Sequence, residues 1–324
     1  MVAAIRVHNV GGPEVMVPED VDVGAPGPGQ IRIKQHACGI NFIDTYYRTG
    51  LYAAPKLPFI PGNEAAGDVV AVGEDVKDFN VGDRVTYNVT LGSYAAERLL
   101  PAERAIKLPV GISYEQAAGM MLKGMTARYL IRRTYKVEKG TTLLMHAAAG
   151  GVGLIISQWA ASLGATVIGT VGSKEKAELA KANGCHHVIL YRDEDFVARV
   201  KEVMGGKLCD VVYDGVGKDT FPGSLDCLRP LGMFATFGNA SGPVPAFNPL
   251  LLLQKGSLFM TRPTLVHYTA TRADLLDCAN DLFDAVKSGA VKIPVNQKYP
   301  LKDAAKAHQD LEGRHTTGSS ILVV

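Results

Sequence analysis

The chain has 324 residues, 47% of them hydrophobic, and 34 Lys and Arg stand against 32 Asp and Glu for a formal net charge of +2. These values fit a globular enzyme of two domains, each with its own core, and give no push toward nucleic acid or membrane. The five cysteines, Cys38, Cys185, Cys209, Cys227 and Cys278, are scattered, odd in number and without a CxxC pair, which excludes a disulfide framework and points to a reduced cytoplasm.

At the N-terminus only Val2 to Ile5 is apolar, too short for a signal-peptide core. Residues 1–110 lack long helical periodicity. Gly24 to Gly29 (GAPGPG) is a loop, and then Ile31, Ile33, Gln35 and Ala37 alternate with Arg32, Lys34 and His36, the period of a strand with one wet face. Asn41 to Arg48 predicts a short helix ended by Gly50, and Gly67 to Val72 a strand, with Val81 to Val85 and Ser93 to Leu100 completing a β-rich region. From Ser113 the pattern turns helical. Ser113 with Gln116 resembles a capping box, and Met121 to Tyr135 is long enough for a helix of several turns. Arg128, Arg132 and Lys136 recur on it every four residues; such a stripe is ordinarily a solvated face, so nucleic acid is not expected as a partner.

The stretch Thr141 to Ser173 contains no charged residue, which raises the question of a membrane span. Its punctuation answers that question. Leu143, Leu144 and Met145 form a strand-like run; Ala148, Gly150, Gly151 and Gly153 make a tight turn; Val152, Ile155, Ile156, Trp159 and Leu163 follow at helical spacing; and Gly164 stops the helix before Val167 and Ile168. Strand, glycine turn, helix and strand make a βαβ unit. Its turn reads Ala148-x-Gly150-x-x-Gly153, the dinucleotide fingerprint with alanine at the first glycine. Small residues are needed there because a pyrophosphate must reach the backbone N–H groups of a helix N-terminus, where the helix dipole also favours negative charge.

An NAD site places Asp or Glu roughly 20 residues beyond the fingerprint, on the ribose hydroxyls. Here that region reads Thr170-Val171-Gly172-Ser173 with no carboxylate, and Lys174 and Lys176 follow. A lysine there can pair with a 2′-phosphate while Ser173 donates a hydrogen bond, so the expected cofactor is NADPH.

Beyond this unit the alternation continues. Strands are expected at Val188 to Leu190, Val211 to Tyr213 and Met233 to Phe237, and helices at Lys174 to Ala182, Asp195 to Met204 and Thr220 to Leu228. The fold class is therefore α/β, with a doubly wound parallel sheet whose ligands bind beyond the carboxyl ends of the strands. That rule nominates the Gly150 turn, Asp214 to Gly217 and Phe237 to Asn239. Past Pro263, helices are expected at Arg272 to Ser288 and Leu301 to Glu312, and a last strand at Ser320 to Val324.

The segments Asn41 to Tyr52 (NFIDTYYRTGLY), Gly62 to Gly67 (GNEAAG), Gly82 to Val85 (GDRV), Leu122 to Thr126 (LKGMT) and His146 to Gly153 (HAAAGGVG) stand in an order and at spacings that resemble the medium-chain dehydrogenase/reductase superfamily. Within it the chain is most similar to the zinc-independent quinone oxidoreductases related to ζ-crystallin. The resemblance runs through the whole chain. It implies a Rossmann domain (residues 125–264) inserted in a chaperonin-10-like β-rich catalytic domain made from both chain ends (residues 1–124 and 265–324). Where the superfamily's alcohol dehydrogenases hold zinc with Cys and His, this chain carries Asn41, Asn63 and Leu122, and no cysteine lies between Cys38 and Cys185 for a structural zinc. Neither an amide nor a leucine replaces thiolate and imidazole, so no metal is expected.

By family position Asn41, Tyr46, Tyr52 and Lys123 face the substrate cleft, with Tyr52 against a quinone. The same resemblance places NADPH on Asn41, Thr126, Gly151, Val152, Ser173, Lys176, Tyr191, Asn239 and Arg314. The turn and strand-end readings add Gly150, Gly153, Gly172, Gly217, Phe237 and Gly238. Hydride transfer needs only C4 of the nicotinamide over an electron-poor carbon, with a donor near the oxygen that gains charge, and a quinone is activated enough to accept. The function expected is thus NADPH-dependent quinone reduction. Alternatives are an enone or alkenal reductase using the same site, or a non-catalytic NADPH- or RNA-binding relative. The run Phe247 to Met260 is more apolar than an exposed sheet edge should be, and relatives pair there, so a homodimer is expected.

Overall fold

The computed structural model describes all 324 residues. The chain forms two compact units, one of residues 1–123, 269–283 and 293–324, the other of residues 124–268 and 284–292. The first unit opens with an antiparallel hairpin, β1 (Val2–Val7) and β2 (Met16–Val21). Next comes β3 (Gln30–Ile40), whose early residues alternate as expected, Ile31 and Ile33 inward and Arg32 and Lys34 outward. From Ala37 to Ile40 every residue is buried, because both faces of the strand are covered there. Helix α1 (Phe42–Thr49), β4 (Glu64–Val72), β5 (Arg84–Asn88), β6 (Glu97–Pro101) and β7 (Ile106–Lys107) follow.

Helix α2 (Tyr114–Tyr129) starts earlier than its apolar pattern suggests. Its start is fixed by the capping box: Ser113 N–H donates to Gln116 Oε1 at 3.1 Å, and Gln116 N–H donates to Ser113 Oγ at 3.1 Å. After Tyr129 it widens into a π-turn over Leu130–Thr134. The basic stripe consequently does not form one wet face. Arg128 is buried, Arg132 lies 5.7 Å from the Trp159 ring centroid, and Lys136 pairs with Glu138 at 3.3 Å.

The second unit alternates strand and helix: β8 (Thr142–Met145), α3 (Gly151–Ser162), β9 (Thr166–Val171), α4 (Lys174–Ala182), β10 (His187–Leu190), α5 (Phe196–Val203) and β11 (Cys209–Asp214). It continues through α6 (Gly223–Asp226), β12 (Leu228–Thr236), α7 (Leu250–Gln254), β13 (Phe259–Thr261) and α8 (Leu265–Tyr268). The helix expected over Thr220 to Leu228 shrinks to α6 because Leu228 is already in the sheet, paired with Cys209. The six strands pair in the order β10-β9-β8-β11-β12-β13, all parallel. Strand order reverses at β8, the arrangement of a dinucleotide-binding sheet, which puts the ligand site at the carboxyl ends of β8 and β11. Leu144, Ile168, Ile189, Val212 and Phe234, one from each of five strands, form its core; each such buried side chain contributes about 1.5–3 kcal/mol.

After α9 (Arg272–Lys287) the chain adds β14 (Val295–Pro300), α10 (Ala304–Glu312) and β15 (Ser319–Val323) to the first unit. Its sheet runs β14-β15-β3-β4-β5-β7, with β6 also on β3. Strand β15 pairs with β3, Leu322 opposite Cys38, so this sheet needs both ends of the chain. The chain is thus a Rossmann-type α/β domain inserted in a chaperonin-10-like β-rich domain. No helix is long and apolar enough to cross a membrane.

Candidate active site

In the nucleotide unit, β8 ends at Met145 and the chain turns through His146, Ala147 and Ala148 into α3, for which Gly150 is the N-cap. Glycine at Gly153 is required by contact. A Cβ there would stand 2.7 Å from Ala148 Cα, closer than real carbon atoms approach, so only glycine lets the helix pack against its own entry turn. The N–H groups at the start of α3 have no partner within the helix and are available to an anion. His146 anchors the turn from behind. Ser224 Oγ donates to Thr220 O at 2.9 Å, so His146 Nε2 must be the donor to Ser224 Oγ at 3.0 Å, while its Nδ1 accepts from Thr170 Oγ1 at 3.0 Å. Burial pushes the His146 pKa down, and the ring is neutral in this tautomer.

The carboxyl ends of the other strands gather further candidates. Ser173 caps α4, accepting from Lys176 N at 3.3 Å. Gly172 lies beneath Tyr191: a Cβ on it would stand 2.8 Å from Tyr191 Oη and 3.4 Å from Arg192 Nε. Arg192 was missed in the sequence, since nothing in the spacing places it above Gly172. Buried Asp214 accepts from Val216 N at 2.7 Å, Gly217 N at 3.2 Å and Thr220 Oγ1 at 2.7 Å, so it organises the loop after β11. Phe237 N–H donates to Asp214 O at 2.7 Å. Gly238 is buried against the Gly215 backbone. The Asn239 amide is satisfied when its nitrogen faces Gly238 O at 3.0 Å and its oxygen faces Arg262 Nη2 at 3.3 Å, and Arg262 also escaped sequence reasoning. Thr126 lies half-buried in α2 within this unit. Arg314, by contrast, belongs to the first unit, exposed just past α10 with φ at 60°.

The first unit brings Asn41 and Lys123 together on Glu64, wholly buried at the start of β4, and sets Tyr46 and Tyr52 in a second cluster. Glu64 Oε1 accepts from Asn41 Nδ2 at 2.7 Å and pairs with Lys123 Nζ at 3.1 Å, and Oε2 accepts from Leu122 N at 2.6 Å. A buried carboxylate needs this set of donors and a counter-charge to offset its lost hydration. Gly39 makes the room, because a Cβ there would overlap Glu64 Oε1 and Ala118 O. Asn41 precedes α1, and its N–H donates to Asp44 Oδ2 at 2.8 Å. Asp44 Oδ1 in turn accepts from Asn63 Nδ2 at 2.7 Å. The tyrosines cluster at the far end of α1: Tyr46 and Tyr52 meet at 5.2 Å between centroids, Tyr47 and Tyr52 at 5.9 Å, both edge-on, and Tyr52 N donates to Tyr46 O at 3.0 Å.

These contacts bear on zinc. At Asn41 and Asn63 it is the amide N–H that faces a carboxylate, and Leu122 offers no donor atom, so the residues present do not fit the metal of the alcohol dehydrogenases. No group of three or more His, Cys, Asp or Glu in the chain is placed to hold a metal ion.

Two family models match: the alcohol dehydrogenase GroES-like domain over residues 27–142 and the zinc-binding dehydrogenase domain over residues 151–281. The quinone oxidoreductase of Pseudomonas aeruginosa is 50% identical over 324 residues, all of both chains. A 2-haloacrylate reductase of a Burkholderia species is 49% identical, covering 100% of this chain and 99% of the relative. Among solved structures, Escherichia coli quinone oxidoreductase complexed with NADPH superposes with a TM-score of 0.98 at 50% identity, covering 99% of this chain and 100% of the other. With the nucleotide turn in place and the zinc ligands replaced by amides and leucine, the chain belongs to the zinc-independent quinone oxidoreductases of the medium-chain dehydrogenase/reductase superfamily.

Proposed function

We propose that this chain is an NADPH-dependent quinone oxidoreductase whose acceptor is received by Asn41, Tyr46, Tyr52 and Lys123. The observation that carries the cofactor is the strand end after β9, which offers Ser173, Lys176 and Arg192 and no carboxylate to ribose hydroxyls. When bound, NADPH supplies the hydride. The pyrophosphate would be held by backbone N–H groups of Gly151 and Val152 behind Gly150 and Gly153, and the 2′-phosphate by Lys176 with Ser173 and Tyr191, Gly172 leaving room for the Tyr191 hydroxyl. Gly217, Phe237, Gly238 and Asn239 would form the wall at the β11 and β12 ends, together with Thr126; the assignment of Asn41 and Arg314 to the cofactor rests on the family resemblance alone.

The acceptor side needs no metal. Lys123 carries a positive charge in a buried setting where only Glu64 offsets it, and a cation so placed stabilises charge that develops on a quinone oxygen. Tyr52 presents an aromatic face, packed edge-on by Tyr46 and Tyr47. Replacing Tyr52 by Ala should raise KM for a quinone about tenfold, the size of one lost aromatic contact, and leave NADPH affinity unchanged. Quinone turnover abolished by a chelator, or robust oxidation of a primary alcohol, would overturn this reading.

Reduction of an activated alkene is the second reading, favoured by the relative named 2-haloacrylate reductase. Turnover of a naphthoquinone against an enone at matched concentration separates the two. The chain also pairs with a second copy along β13: this edge strand exposes Phe259 at 57%, beside exposed Leu250 and Leu253. A strictly monomeric mass in light scattering at micromolar concentration would rule the homodimer out. Five buried free cysteines support residence in the reducing cytoplasm.

A further inference from the structure

A line of polar groups runs from Glu312 through Arg48, His308 and Tyr94 to Asp44, and all but Glu312 are buried. Arg48, 1% exposed, forks onto Glu312 with Nη2 at 2.8 Å and Nη1 at 2.9 Å, and Nη1 also meets His308 Nδ1 at 3.1 Å. His308 Nε2 lies 3.0 Å from Tyr94 Oη, and Tyr94 Oη lies 3.1 Å from Asp44 Oδ2. Every proton on this line can be assigned. A guanidinium only donates, so His308 Nδ1 must accept. The neutral ring then carries its proton on Nε2 and donates to Tyr94, whose own hydroxyl is left to donate to Asp44. Burial and the Arg48 charge both hold His308 in this neutral form, with its pKa pushed down to about 3.

We infer that Arg48, His308 and Tyr94 form a one-way chain of donors that keeps the buried Asp44 carboxylate ionised, and that ionised Asp44 is the positioning residue for Asn41 and Asn63 in quinone reduction. The inference rests on the assignment of Asn41 to the acceptor site. Asp44 accepts from Asn41 N, Asn63 Nδ2 and Tyr94 Oη; the two amide groups can only donate, and the Tyr94 oxygen already accepts from His308 Nε2. A protonated Asp44 would leave the Tyr94 hydroxyl with donors on both sides and release one of the two asparagines. The groups facing Asp44 oppose one another. Burial, and then Glu64 on β4, disfavour its negative charge, whereas Asn63, Asn41 and Tyr94 favour it; Cys38 on β3 and Tyr47 on α1 also face it, both pushed up in pKa and so neutral where Asp44 titrates. Burial wins by enough to push the Asp44 pKa up to about 7, so removal of one donor falls within the range of an activity assay.

The test is the pH profile of kcat/KM for an uncharged naphthoquinone at saturating NADPH, read beside a carboxyl-carbon NMR titration of Asp44 in the free protein, assigned with Asp44→Asn. Tyr94→Phe should move both the acid limb and the Asp44 titration upward by about one pH unit, a tenfold loss at fixed acidic pH that recovers as pH rises. His308→Leu should act in the same direction and provides a second route if Tyr94→Phe folds poorly. His308→Gln, which can still accept from Arg48 and donate to Tyr94, should restore the wild-type limb. An acid limb in Tyr94→Phe that overlays the wild type, a loss of equal size at every pH, or an unmoved Asp44 titration would each overturn the inference. If instead Asn41→Ala leaves quinone kcat/KM intact, it is the acceptor-site reading that fails, and the NMR titration still decides whether the chain holds Asp44 ionised.

Discussion

Around Gly150 to Gly153 the surface proposed for the pyrophosphate is backbone: an uncharged turn with small residues, shaped by the 2.7 Å limit at Gly153, and backed by a neutral His146. Around Glu64 the surface proposed for the quinone is side chains: a buried carboxylate, a buried lysine and amides on Asn41 and Asn63, each dependent on partners distant in the chain. The difference is one of what the ligand demands. A pyrophosphate is already charged and asks for close approach to N–H dipoles, which side chains obstruct. A quinone gains charge only as it reacts, so groups that answer it must be held ready in a dry setting, at a standing cost in desolvation.

The sharpest break of this contrast is at the charged cluster. Lys123→Ala would leave Glu64 buried without its cation and should cost about 3–5 kcal/mol of stability. Adding Glu64→Gln to that variant should recover much of the stability and none of the quinone turnover, by thermal unfolding and steady-state assay. Equal stability of the single and double variants would show that Glu64 is not an ionised burden.

Next in size is the charge at the edge of the backbone-built site. Lys176→Ala should weaken NADPH by about 1.5–3 kcal/mol while leaving NADH nearly unaffected, the range for a charge-assisted hydrogen bond. Fluorescence titration of both cofactors reads it, and an equal loss for the two would remove Lys176 from the 2′-phosphate.

The smallest effect is in stability against pH, where two buried groups of the first unit work against each other. Asp44, raised to about 7 from 3.8, takes up protons in the folded state first, so its contribution is present at low pH and lost as pH rises through about 7. His308, lowered to about 3 from 6.5, takes them up in the unfolded state first, so its contribution is present above 6.5 and lost as pH falls. Between roughly pH 4 and 6.5 the slopes cancel and the wild type should show a flat profile. His308→Gln removes one side of the balance, and its stability should fall with rising pH in that window by at most about 1.4 kcal/mol per unit. A profile that stays flat in the variant would refute the opposition.

The nucleotide unit was legible in the sequence because its signals are local. Glycines at fixed offsets, apolar runs of strand length and helices at regular spacing lie within a few residues of what they control, and Lys174 to Ala182 was read with the bounds it has. Even there, packing decided the details: the expected helix at Thr220 to Leu228 gave way to a strand partner for Cys209, and Arg128 turned inward from a stripe that reads as solvated. Arg192 and Arg262 stayed hidden because their neighbours Gly172 and Asn239 are brought to them by the ends of other strands.

By itself, then, the sequence determined the alternating α/β unit, the turn, the preference for NADPH and the missing zinc ligands, all of which rest on residue type at short spacing. Only the tertiary structure decided that residues 284–292 go with the nucleotide unit, that β15 completes the sheet of β3, and that Asp44 connects through Tyr94 and His308 to Arg48. Tyr94 and His308 are 214 positions apart. No periodicity reaches across such a distance, because that contact is fixed by where the last helix and strand return to the first unit and not by any local preference of the chain.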